Sequence, residues 1–154
     1  AFFLHSTSRC AKIALTNLIL EGGTVLFHTF KNQDERRGCG AAFIEIQFCD
    51  MPKHSKIKEL VAVDNIRCGR NDSLYIHEDD YEAFFREYSC IFDCGTYNNL
   101  ETGVMDLCGI NYYAPKLIDS IAEKLHAEKP QDCEVLAAWL ARAKEHNGFY
   151  ILGL

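Results

Sequence analysis

Along residues 42–48 the chain alternates. Ala42, Ile44, Ile46 and Phe48 fall on one side, and Phe43, Glu45 and Gln47 on the other. A pleated backbone sends successive side chains to opposite faces, so this pattern predicts a strand with one fully buried face. Asp50-Met51-Pro52-Lys53-His54-Ser55 then supplies turn residues. Leu60-Val61-Ala62-Val63-Asp64-Asn65-Ile66 reads as the returning strand of an antiparallel hairpin at the centre of a sheet.

Ahead of that hairpin, residues 2–5 read as a short strand. Ser6-Thr7-Ser8 offers caps for a helix over 9–21, with Ala11, Ala14, Leu15 and Leu18 as its apolar stripe. Gly22-Gly23 closes the helix, residues 24–30 read as a strand, and 31–40 as a charged, glycine-bearing loop. Behind the hairpin, 73–77 is a short strand and 78–88 a helix. Tyr81, Phe84, Phe85 and Tyr88 recur at helical spacing and predict one inward aromatic stripe. Glu78, Asp79 and Asp80 crowd the first turn, where the helix dipole favours negative charge.

Residues 102–112 read as a strand, with Val104, Asp106, Cys108 and Ile110 on one face. Two helices follow Pro115 and Pro130. The first carries Leu117, Ile118, Ile121 and Leu125, the second Val135, Leu136, Trp139, Leu140 and Ala143. Gly148 stops the second, and residues 149–152 form a last strand. The pattern predicts a single α+β domain over 1–154. Its sheet is mostly antiparallel, of about five to six strands, with three to four helices packed on it.

Composition narrows the function classes. The 154 residues carry a net charge of -6, and no run of about 18 apolar residues predicts a membrane span. The acidic balance argues against nucleic acid as the main partner, because phosphate binding needs clustered Lys and Arg. It suits docking onto a basic protein, where opposite charge speeds encounter. Phe2-Phe3-Leu4 is too short a run for a signal peptide. Most of the eight cysteines sit within or beside apolar segments, so reduced thiols in a cytoplasmic protein are expected.

Local chemical motifs are sparse. Cys90 and Cys94 are the only close cysteine pair, no HExxH or calcium loop is present, and no metal or cofactor is expected. His126 and His146 fall near helix C-termini, where the dipole suits imidazolium. Cys39, between Gly38 and Gly40 and after Arg36-Arg37, is the best thiol candidate, since nearby positive charge lowers a thiol pKa. Asp106 and Asp64 stand inside apolar runs; Asp64 is expected on a strand face turned to water, and Asp106 is either that or a buried carboxylate that could serve an active site. No phosphate-binding glycine motif is present.

Leu4-His5-Ser6-Thr7, followed by the 9–21 helix and Gly22-Gly23, resembles the opening of ADP-ribosyltransferase-type domains. That resemblance covers about the first forty residues and implies that His5 and a neighbouring hydroxyl hold NAD. The family's later aromatic and catalytic-glutamate segments have no counterpart here. It supplies one alternative function, an ADP-ribosyltransferase-like NAD-binding enzyme, and Cys39 supplies another, a thiol-dependent enzyme.

The leading expectation is a binding protein with no catalytic residues. Glu78, Asp79, Asp80, Glu82 and Glu87 would face outward if the aromatic stripe faces in, making an acidic surface for a basic protein partner. The type expected is a bacterial toxin-neutralising (immunity) protein that inhibits a basic toxin, such as a nuclease, by stoichiometric binding. The oligomeric state is not legible.

Overall fold

The computed structural model describes residues 25–153. The strand expected at 2–5, the helix expected at 9–21 and His5 lie outside them. Six strands form one antiparallel sheet: β1 (Phe43–Phe48), β2 (Leu74–His77), β3 (Gly95–Thr96), β4 (Thr102–Gly103), β5 (Ile110–Tyr113) and β6 (Phe149–Leu152). Their order across the sheet is β2-β1-β6-β5-β3-β4. Among the described residues five α-helices accompany them: α1 (Gln33–Gly38), α2 (Ile57–Leu60), α3 (Tyr81–Tyr88), α4 (Ile118–Glu128) and α5 (Cys133–Ala143). The fold is α+β, as the alternation of patterns predicts.

The period of two in β1 divides the protein into two cores. Ile44, Ile46 and Phe48 join Leu74, Ile76, Tyr113, Phe149 and Ile151 on the first face. Over that face pack Phe84 and Tyr88 of α3, Ile121 and Leu125 of α4, and Leu136, Trp139 and Leu140 of α5. The helical stripes read from sequence are therefore the surfaces that cover the sheet. On the second face, Ile110, Tyr112, Tyr150 and Leu152 are covered by Cys49, Leu60 and Val61.

That second cover corrects the central hairpin. Residues 60–66 do not return as a strand; they follow α2 and include a 3-10 turn at Val63–Asn65. The Glu59 carboxylate accepts from the Lys56 amide at 2.8 Å and starts the helix. Leu60 and Val61 are buried while Val63 is exposed, so the run supplies a lid and not a ladder. The places beside β1 go to β2, with Ile44 opposite Ile76, and to β6, with Phe48 opposite Phe149.

Four further expectations change. The 31–40 loop contains α1, whose N-cap Asn32 accepts from the Glu35 amide at 2.9 Å. Within 25–30 the only ladder contact is His28 with Tyr75, through two backbone bonds of 2.8 and 2.9 Å. The 102–112 strand is broken by a turn. There the Asp106 carboxylate accepts from the Cys108 amide at 2.9 Å, and the Asn111 side chain bonds the Asp106 amide and carbonyl. In the aromatic stripe Phe84 and Tyr88 are wholly buried, but Phe85 is 42% exposed. Phe27 meets Phe84 and Tyr88 edge-on and fills the space that the sequence pattern assigned to the stripe's fourth ring.

Candidate functional site

The nearest thing to a site begins at the N-terminal end of α3. Residues 71–115 contain nine Asp and Glu against the single cation Arg86, a local charge of minus eight. The whole chain stands at -6, so everything outside that stretch sums to plus two. The acidity is concentrated in one part of the chain.

Glu78, Asp79 and Asp80 form a 3-10 turn that feeds α3. His77 caps it, its Nδ1 accepting from the Asp79 amide at 3.1 Å and lying 3.5 Å from the Asp79 carboxylate. Glu82 and Phe85 stand three apart on α3 and are both exposed, so they share a side, and exposed Glu78 lies in the turn that leads into it. Among the described residues Glu78, Asp80 and Glu82 make no ion pair. The exposed phenyl of Phe85 thus stands in a field of uncompensated carboxylates. Burial and the charge of Glu78 both push the Tyr81 phenol up, and the Cys108 thiol adds to them.

Glu87 does not belong to this group. Its carboxylate accepts from the Gln131 amide at 2.9 Å and ties α3 to the approach of α5. The carboxylates the structure brings together are Glu78, Asp79, Asp80 and Glu82.

A second polar constellation went unread in the sequence. Glu45 is 5% exposed on the second face of β1. Its carboxylate accepts from the Gly69 and Arg70 amides at 2.7 and 2.9 Å, the Ser73 hydroxyl at 2.6 Å, and the Tyr75 phenol and Gln47 amide at 3.2 Å. Burial, reinforced by the Glu45 charge, pushes the Tyr75 phenol up to about 12. Glu45 thereby holds the 67–73 loop. From that loop Arg70 reaches Asp50 and Asp72, and Asp50 in turn meets His146 Nδ1 at 2.8 Å. Nearly buried and committed to donors from the 67–73 loop, β1 and β2, this carboxylate ties those segments together, so the hub organises the fold. The signal that could have found it was the pairing of Glu45 with Gln47 on a face otherwise able to bury Phe43.

The remaining candidates stay apart. The exposed thiol of Cys39 donates to the Glu35 carbonyl at 3.5 Å, and no described histidine or carboxylate side chain bonds to it. Burial pushes the Cys49, Cys68, Cys90 and Cys94 thiols up, which keeps them protonated. Asp64 is exposed on its 3-10 turn, and Asp106 is an exposed turn former. His126 is exposed in the last turn of α4, while His146 stacks on Phe48 with ring centroids 4.4 Å apart. Among the described residues no three His, Cys, Asp or Glu side chains converge as metal ligands do, and no helix is long and apolar enough to cross a membrane. His5 lies outside the described residues. Comparison with family models, with characterised proteins and with solved structures finds no match to this chain.

Proposed function

We propose that this protein is a stoichiometric binding protein whose acidic face docks a basic protein partner. The observation that carries the reading is the 42% exposure of Phe85 beside Glu78 and Glu82, with no described cation paired to either. An aromatic ring that is free to be buried anchors an interface, and the surrounding carboxylates steer a basic partner toward it. A toxin-neutralising (immunity) role against a basic toxin such as a nuclease fits this chemistry. An acidic surface occupies a site built for phosphates and excludes the nucleic acid. The seven free thiols among the described residues support a cytoplasmic location, where glutathione keeps cysteines reduced.

The test is association kinetics with a basic toxin encoded beside this gene. The association rate should fall steeply with added salt, and Glu78→Lys with Glu82→Lys should slow it by about tenfold or more. Phe85→Ala should instead speed dissociation. Binding indifferent to both salt and charge reversal would remove this face from the interaction.

A further inference from the structure

Between α5 and the start of β2 lies a groove of about 260 Å³, walled by Leu74, Val135 and Trp139. Its floor is fixed in place. The Trp139 indole N–H donates to the Asp72 carbonyl at 2.9 Å, and the indole lies flat on Phe48 with centroids 4.1 Å apart. Such a surface is ready for a ligand without reorganising.

The polar groups around it are unequally occupied. The Asp72 carboxylate turns to Arg70 at 3.3 Å, and the Ser73 hydroxyl is committed to Glu45. Asn71, another lining residue, accepts from Gln33 through its Oδ1 at 3.0 Å. Arg142 lines the same groove, with its guanidinium carbon 5.1 Å from the Phe48 ring centroid. It makes no ion pair with any described residue. Of the two charged residues that line the groove, Asp72 turns to Arg70, and Arg142 stands unpaired above an apolar floor.

We propose that this groove binds a small organic anion, its carboxylate or phosphate on Arg142 and its apolar body against Leu74, Val135 and Trp139. A guanidinium offers paired N–H groups that match either head group. Ordinary ligand sites run to about 300–1,000 Å³, so this smaller one holds a single ring with a head group and is too small for a nucleotide. None of these residues belongs to the acidic face, and the two proposals stand or fall separately.

Trp139 is the only tryptophan in the chain, which makes its emission and its indole N–H resonance reporters of this groove. The intact protein is titrated with benzoate, with phenylphosphate and with benzyl alcohol as the uncharged control. The proposal expects saturable changes at Trp139 with at least one anion, weakened by added salt, and about tenfold weaker binding in Arg142→Gln. Which anion binds more tightly assigns the head group. Ala138→Phe, which fills the groove, leaves Arg142 in place and keeps Trp139 as the single tryptophan, should also abolish binding. The proposal is overturned if neither anion gives a saturable response in emission or in the resonance. It is equally overturned if benzyl alcohol binds as well as the anions, or if Arg142→Gln binds unchanged.

Discussion

The Ser73 hydroxyl donates to Glu45 Oε1 at 2.6 Å, deep under a loop that has no secondary structure of its own. This bond and its neighbours give the 67–73 segment a fixed shape. Removing the acceptor strands buried donors, which costs more than the bonds themselves contribute. Glu45→Ala is expected to lower unfolding free energy by about 3 kcal/mol, read from urea denaturation. Glu45→Gln should also destabilise, because its NH₂ turns a donor toward amides that need an acceptor. A stability equal to wild type in both variants would deny Glu45 this role.

Phe48 is sandwiched between Trp139, at 4.1 Å and 3° between planes, and His146. It is wholly buried, so Phe48→Ala leaves a cavity and is expected to cost about 3–5 kcal/mol. His146→Ala removes both a ring from the stack and a partner of Asp50, and should cost less, about 1–2 kcal/mol. Thermal melts followed at Trp139 measure both.

Phe84 and Phe85 are adjacent in sequence and opposite in environment. Phe84→Ala should cost about 3–5 kcal/mol, whereas Phe85→Ala should stay within about 0.5 kcal/mol. Chemical denaturation of the two variants side by side checks the orientation of α3. A large loss from Phe85→Ala would place that ring in the core and remove the exposed anchor.

Burial pushes six of the seven tyrosines up: Tyr81, Tyr75 to about 12, and Tyr88, Tyr112, Tyr113 and Tyr150 further. A folded pKa above the unfolded value of about 10 contributes stability that is complete below pH 10. It is lost progressively as pH climbs from there toward the folded values. Absorbance at a tyrosinate wavelength should therefore show these phenols ionising together with unfolding. Independent ionisation of all seven near pH 10 in the folded protein would contradict their burial.

Local patterns settled which segments are elements and which sides are apolar. Ile44, Ile46 and Phe48 face the core because a strand alternates, whatever lies beside it. Ile121 and Leu125, or Leu136 and Leu140, do so because a helix brings residues four apart onto one stripe. Such periodicities are properties of the backbone and are legible before any contact is known.

Partnership was decided only in three dimensions. Leu60 and Val61 have the composition of a strand, yet β6 arrives from the far end of the chain to pair with β1, and they become a cover over Tyr150. Glu45 has the spacing of an exposed strand residue, but a loop more than twenty positions away closes over it with three donors, and Tyr75 and Gln47 add two more. Phe85 matches the aromatic stripe, and Phe27 takes its place beside Phe84 and Tyr88. In each case the outcome depends on competition between distant segments for one surface. Pattern along the chain cannot rank such competitors, because the free energy that selects among them comes from contacts formed at long range.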